Sequence, residues 1–377
     1  MDEYDAAAGF LPAGHTFVPE ELIHFAGRDS RSLEDALAEA DVLVTLPHAG
    51  GEIPAELAPY LAPAFVDNPR LRWDQTDQSV RAAALRWAEL DPRVVLVENP
   101  HPRLVRDPDR ARPADLAAQL REAFRRVREA DPGTPPDLDG VDAVRPVTRT
   151  GLPLLTVPPD DASLARLVVE LESVAARGLA VYERTRDDLF DRLVGKKLRG
   201  AAVSSGLCFF LSLHDAMNAT ADPDGAIAGE RVPTERMPPV LTLANRGDSQ
   251  GEARGREPVT LWPALLRSLA EAHRLGFSLA DPRDVELNHP SRGGHEATRF
   301  GQVCRELSNG VYESPGFVFG AASAVFRREF LLGEEASRQL AEPGTDVPEP
   351  PAEFADAIAR KLHASWDEFR RPLPGSD

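Results

Sequence analysis

Residues 42–54 read VLVTLPHAGGEIP: five apolar or β-branched residues that end abruptly in Pro47, His48 and the pair Gly50-Gly51. A run this short, without polar alternation, predicts a strand covered on both faces. VVLVEN (94–99), LCFFLSL (207–213) and VLTLA (240–244) repeat the pattern. Between them the spacing turns helical. Leu116, Leu120, Phe124 and Val127 share a face behind Pro113; Leu164, Leu167, Val168, Leu171 and Val174 form a second stripe, and Phe354, Ile358, Leu362 and Trp366 a third. Strands alternating with helices predict an α/β sandwich.

Composition sets the outer limits. A chain of 377 residues that is 42% hydrophobic has material for a sizeable core. With 43 Lys+Arg against 61 Asp+Glu, a net charge of -18, it has no basic field for a phosphate backbone or an anionic bilayer, which argues against nucleic acid and membrane partners. The start, MDEYDAAAGFLPAGH, is acidic and lacks the basic and apolar regions of a signal peptide, and no apolar run approaches the roughly 20 residues of a membrane span. The chain reads as cytoplasmic. Cys208 and Cys304 are too few for a disulfide framework or a thiolate zinc site, so any metal falls to His and carboxylate. Lysine occurs only at 196, 197 and 361, so nearly all positive charge is arginine and a surface Arg alone carries little functional weight.

No period of about 20 to 50 residues recurs. The expectation is one α/β domain over 1–341 with irregular insertions at 131–160 and 246–258, followed over 342–377 by a linker and a C-terminal helix packed on that domain. Long irregular loops in compact domains often carry function.

In open α/β sheets ligands collect beyond the carboxyl ends of the strands. There the sequence places His48 after the first run, His101 and Arg103 after the second, and His214-Asp215 after the third. His48 and His214 are candidate metal ligands, since neutral imidazole suits Zn²⁺ and a catalytic site needs about three protein ligands with one position left for water. The third should be a carboxylate. Asp77, at the start of the helix through Trp87, fits best, with Glu52 and Asp74 in reserve. The plainer alternative makes each His an ordinary loop or N-cap residue. His289 and His295 match no common zinc spacing, and Gly293-Gly294 between them marks a tight turn or a close backbone approach. RLVRDPDR (103–110) begins and ends in arginine around Asp107 and Asp109; it is either an oxyanion-binding segment or a charged surface loop. Taken alone, Glu306 is a solvated glutamate and the cysteines are buried apolar residues.

In their order along the chain these motifs resemble the N-formylglutamate amidohydrolase family, itself similar to zinc carboxypeptidases and aspartoacylases. The resemblance spans roughly residues 40–315. LPHAGGEIPAEL resembles the family's opening Pro-His-Ser/Ala-Gly segment, TDQSV its Thr-Asp-Trp, RLVRDPDR its Arg-Tyr-Val-Val-Asp-Leu-Asn-Arg, and SLHDAM its Asp-Leu-His-Ser-Met. LANRGDSQG is similar to its Gly-Asp loop, PSRGGHEATRFG to its Gly-Gly-Tyr-Ile-Thr-Arg-Arg-Tyr-Gly, and VCRELSNGVY to its Gln-Leu-Glu with a Tyr six residues on, here Glu306 and Tyr312.

The resemblance implies a three-layer sandwich around a mixed, mostly parallel sheet of the zinc-carboxypeptidase kind. It implies one Zn²⁺ on His48, Asp77 and His214, Glu306 as general base, and Arg103 stabilising the oxyanion. Arg110, Asp109, Gly293, Gly294 and Arg299 are matched to substrate binding, with a small acylated amino acid or short peptide as substrate. The chain departs from the pattern at Asp109 (family Asn), Ser212 (Asp), Asp215 (Ser) and Cys304 (Gln). An Asp beside Arg110 offsets the charge that would clamp a carboxylate, which points toward a different acylated amino acid or modified peptide. A non-catalytic binding protein on the same fold is a further alternative. A nucleotide binder is disfavoured, because no GxGxxG or Walker-type loop follows the first strands.

Overall fold

The computed structural model describes residues 10–131, 134–199, 206–310, 318–348 and 352–371. Seven strands form the central sheet: β1 (Ile23–Phe25), β2 (Val42–Leu46), β3 (Val94–Glu98), β4 (Leu207–Ala216), β5 (Leu241–Ala244), β6 (Val285–Leu287) and β7 (Val318–Arg327). Their spatial order is β6-β5-β7-β4-β2-β3-β1. β7, β4, β2 and β3 run parallel, while β1 and the β5-β6 pair are antiparallel to their inner neighbours. The four runs expected as strands are all in this sheet, which is mixed and mostly parallel.

Alternation along the strands explains why the sequence showed none of the usual in-out pattern. Val42, Val44 and Leu46 join Phe209, Leu211 and Leu213 on one face, against α2 (Gln78–Leu90), α6 (Pro263–Phe277) and α9 (Ala352–Arg370). Leu43, Cys208 and Phe210 turn the other way, toward α1 (Leu33–Glu39), α5 (Leu179–Leu198) and α7 (His295–Gly310). With helices on both faces, every inner-strand position is a core position. A further cluster packs α3 (Leu116–Glu129) and α4 (Asp161–Arg177) beside the sheet.

The C-terminal helix α9 belongs to the core. Trp366 stacks on Trp87 of α2 at 5.8 Å between ring centroids and meets Phe209 of β4 at 5.2 Å. The end of α8 (Arg328–Ala341) and the segment that follows it are clamped by the buried Arg70, whose guanidinium donates to the carbonyls of Gln339, Leu340, Glu342 and Asp346. Residues 134–160 are irregular and are anchored by isolated bridges between Val147 and Pro153 and between Leu61 and Leu155. Among the described residues no helix is long and apolar enough to cross a membrane.

Core burial leaves a titration signature. His273 of α6 donates from Nδ1 to the Leu269 carbonyl at 2.8 Å and lies against Phe277 and Trp366. Burial pushes its pKa down to about 4, with the Leu269 carbonyl opposing. An unfolded histidine titrates near 6.5, so between about 6.5 and 4 the unfolded chain binds more protons and stability is lost as the pH is lowered, by about 3 kcal/mol from this group. His273→Gln should lower by about one the number of protons taken up on unfolding at pH 5. The slope of unfolding free energy against pH, from urea titrations, reads this directly, and an unchanged slope would contradict the assignment.

Candidate metal centre

His48 lies two residues beyond β2 and His214 near the end of β4, and these strands pair in parallel with Thr45 opposite Ser212. Both imidazoles therefore emerge at the same carboxyl end of the sheet. The turn carrying His48 is locked against the segment after β3. Asn99 donates to the carbonyls of Pro47 and His101, each at 2.8 Å, and a side chain at Gly50 would sit 2.0 Å from the Pro100 backbone.

Asp77 completes the group. It occupies the N-cap position of α2 but caps nothing with its side chain. That task falls to Asp215, whose Oδ2 accepts from the Val80 N–H at 2.8 Å. Asp77 is thereby free to turn Oδ2 toward the histidines, while its Oδ1 accepts from Arg103 at 2.8 Å. The contacts are His48 Nδ1 to His214 Nδ1, 3.2 Å; His214 Nδ1 to Asp77 Oδ2, 3.2 Å; and His48 Nδ1 to Asp77 Oδ2, 3.3 Å. All three residues are buried. Donor atoms about 2.0–2.1 Å from a tetrahedral ion lie about 3.3–3.4 Å apart, so the triangle has the dimensions of one face of a zinc tetrahedron.

The far nitrogens are partnered as well. His48 Nε2 lies 2.7 Å from Asp107 Oδ1, and His214 Nε2 lies 2.9 Å from Ser212 Oγ and 3.8 Å from Asp109 Oδ2. With each ring protonated on Nε2, two nitrogen lone pairs and a carboxylate oxygen face one another. Such a triangle must trap a cation, either a metal ion or a proton. Burial and Arg103 disfavour a proton on His48, but Asp107 and Asp77 outweigh them and raise its pKa to about 9. Asp77 itself is held well below the usual range: burial opposes ionisation, and Arg103 and the two histidines overcome it.

The triangle lines a cleft of about 340 Å³ whose walls carry six arginines and six carboxylates. Arg103 lines the cleft, spends two donors on Asp77 and the Gln75 carbonyl, and donates no further hydrogen bond among the described residues. Arg110 reaches the cleft, but its Nε is engaged by Asp142 at 2.7 Å. Asp109 is buried; its Oδ1 accepts the Glu296 N–H at 3.0 Å and so caps α7. Gly294 makes room for it, since a Cβ there would meet Asp109 Oδ2 at 1.7 Å, and Gly293 has φ of +89°. Burial raises the pKa of Asp109, with Glu296 and Asp107 adding to the effect. Asp74 also lines the cleft and is raised by burial, whereas Glu52 is exposed; neither belongs to the triangle.

Two of the expected site residues lie away from the triangle. Glu306 is exposed on α7 and accepts from Gln302 at 3.0 Å. It lies ten positions beyond Glu296, which is about 15 Å along the helix at 1.5 Å per residue, and it does not line the cleft. Arg299 turns outward and forms a bidentate pair with Asp187 of α5 at 2.8 and 2.7 Å. Tyr312 is outside the described residues. His101 is a core residue: its Nδ1 meets the Glu52 carbonyl at 3.0 Å, and burial lowers its pKa to about 4. His289 pairs with Glu286 and has no part in the triangle.

Sequence reasoning also missed residues. Arg328, fully buried, bonds Asp215 and the Thr76 carbonyl beneath the cleft. Arg145 and Arg231 line the cleft with buried Nε atoms that have no acceptor among the described residues. Glu296 is buried at the start of α7 behind His214. In a chain this rich in arginine only position singles these out. No family model matches the chain, and neither the curated proteins nor the solved structures compared with it give a match.

Because His48 holds its proton up to about pH 9, a divalent ion entering the triangle must displace that proton at lower pH. Apparent zinc affinity should therefore rise about tenfold per pH unit between 6 and 9 and level off above, with one proton released per ion. Competition titrations against a chromogenic chelator at several pH values measure this. A pH-independent affinity, or proton-free uptake at pH 7, would contradict the triangle as the binding site.

Proposed function

We propose that this protein is a metal-dependent amidohydrolase acting on a small acylated amino acid or short peptide. The observation that carries the proposal is the triangle of His48, Asp77 and His214 on the floor of an arginine-lined cleft. Two imidazoles and one carboxylate are a zinc donor set, and three protein ligands leave a position for water. The mixed α/β sheet with ligands at its carboxyl edge is also the arrangement implied by the resemblance to formylglutamate amidohydrolases and zinc carboxypeptidases.

In this reading His48, Asp77 and His214 hold the ion, Asp107 orients His48, and Arg103 orients Asp77. A bound zinc ion supplies a Lewis acid and lowers the pKa of a water to about 7. Glu306, exposed and outside the cleft lining, is not the proton acceptor in this reading, and we assign the role to Asp109. Asp77 and Asp107 are committed to the histidines and Asp215 to Arg328 and the α2 N-terminus. Of the lining carboxylates that remain, Asp74, Asp109 and Glu235, Asp109 is the one in contact with the triangle, its Oδ2 3.8 Å from His214 Nε2, and its raised proton affinity suits a group that takes a proton from the attacking water and returns it to the departing amine. Arg103 offers N–H donors to the amide oxygen as negative charge develops there. Water adds to the amide carbon, the C–N bond breaks, and the products are a carboxylic acid and an amine.

The substrate's own negative charge falls to Arg145 and Arg231. Arg110, matched to this role by resemblance, has its Nε engaged by Asp142, whereas the guanidinium groups of Arg145 and Arg231 line the cleft and donate no hydrogen bond among the described residues. A carboxylate on the substrate supplies the missing acceptor.

Asp109→Asn should keep zinc at one equivalent and lose about 10²- to 10⁴-fold in kcat, while Glu306→Gln should keep both. A panel of N-acyl amino acids assayed on zinc-loaded protein tests this, and full activity of Asp109→Asn would remove the residue from the mechanism. Replacing Arg145 and Arg231 together with Met should raise KM for acidic substrates at least about tenfold, leaving kcat and turnover of the matching uncharged amides nearly unchanged. Equal loss on charged and uncharged substrates would refute the anion-holding role. A wild-type protein that binds zinc and hydrolyses no member of the panel would favour a binding protein on the same fold.

A further inference from the structure

Behind His214, away from the cleft, lies a buried carboxylate that the hydrolytic chemistry does not use. Glu296 is fully buried, and its Oε1 accepts from Tyr182 at 2.8 Å and Arg186 at 2.5 Å. Its Oε2 accepts from Thr45 at 2.8 Å and from Ser212 at 3.4 Å. Burying a carboxylate and a guanidinium together is costly even when they pair, and a packed apolar pair in their place is often neutral or stabilising. The arrangement therefore asks for a reason other than stability.

The direction of the hydrogen bonds supplies one. Ser212 has a single hydroxyl proton. Glu296 accepts at both oxygens, from Tyr182 and Arg186 on one and from Thr45 on the other, so the proton between Ser212 and Glu296 belongs to Ser212. With its proton spent, Ser212 Oγ can only accept from His214 Nε2 at 2.9 Å, and that bond requires Nε2–H. Nδ1 then carries the lone pair, and Nδ1 is the atom 3.2 Å from both His48 Nδ1 and Asp77 Oδ2. The strand register builds this path: Thr45, Ser212 and Ser323 are aligned on β2, β4 and β7, a row of hydroxyls at the level where α7 begins. We infer that Glu296 is a positioning residue for the metal centre, acting through the Ser212 hydroxyl to fix which nitrogen of His214 faces the cation. The inference rests on the triangle being a cation site and is independent of what the protein hydrolyses. It also gives Ser212 a function where the resembling family carries a carboxylate: Glu296 provides the charge from α7 and Ser212 conveys it.

The test is zinc affinity in full-length protein, measured by chelator competition, together with the proton NMR signal of the His214 Nε2–H in the zinc-loaded state. Ser212→Ala keeps the other three bonds to Glu296. It should weaken zinc binding about 10- to 100-fold and abolish the slowly exchanging Nε2–H signal. Thr45→Val removes a Glu296 bond without touching the path and should stay within about threefold of wild type. Glu296→Gln combined with Arg186→Met strands no buried cation and should weaken zinc at least about tenfold. Wild-type affinity in Ser212→Ala, wild-type affinity in the Glu296 double variant, or a loss in Thr45→Val equal to that in Ser212→Ala would each overturn the inference while leaving the proposed hydrolysis standing. A wild-type protein that takes up no zinc would overturn both.

Discussion

The parallel pairing of β2 with β4 is the constraint on which the site depends. Side chains alternate across a strand, so a one-residue slip would carry Ser212 and His214 to the opposite face and separate the two imidazoles. The register is pinned from both sides. Leu211 and Leu213 must face α2 and α6, and Phe210 must face α5 and α7, because each is buried in the cluster on its own face. Hydrophobic packing over the length of the sheet thus sets the position of two polar atoms at its end. Chain segments 166 residues apart meet there because the intervening chain returns to the middle of the same sheet.

Around that meeting point the protein buries far more charge than a core ordinarily holds. Asp77, Asp107, Asp109, Asp215, Glu296, Arg186 and Arg328 are all buried. Each carboxylate is answered by specific donors. Asp107 serves His48, Asp215 serves Arg328 and the start of α2, Asp109 serves the start of α7, and Glu296 serves Arg186. This division of labour lets Asp77 leave its capping position. Helix N-termini stabilise nearby negative charge, and two of them are placed here against carboxylates at the edge of the cleft. In a chain of net charge -18, six arginines about one cleft balance its six carboxylates and lift it out of the overall negative field.

The legible parts of this structure are those written in local pattern. Continuous apolar runs gave the strands 42–46, 94–98, 207–216 and 241–244, and the histidines at their ends gave two corners of the triangle. β7, which pairs with β4 along ten residues, left little trace, because VFGAASAVFR replaces bulky residues with Gly, Ala and Ser. Those small residues admit the start of α7: the Ser323 Cβ lies 3.5 Å from where a side chain on Gly293 would be. Local pattern was also silent on helix phase. Glu296 and Glu306 stand on one helix, and only the point where α7 begins decides which is buried at the site. Arg299 follows the same rule, its position on α7 sending it outward to Asp187. The short string around Gly293 and Gly294 lies against Asp109, yet nothing in its pattern marked Glu296 as buried.

The polar residues around the triangle form a connected set. Asp215 caps α2 and binds Arg328, which releases Asp77 toward the histidines. Ser212 meets both His214 and Glu296 through one hydroxyl and places no second carboxylate beside Glu296. Asp109 joins α7 to the segment that carries Asp107 and places a carboxyl of raised proton affinity at the cleft. Changing one of them alone would strand another: an aspartate at 212 would face Glu296 without a proton between them, and a serine at 215 would leave the Arg328 guanidinium buried without its carboxylate. The orientation of the three donor atoms is therefore a property of the whole set and not of any one residue in it.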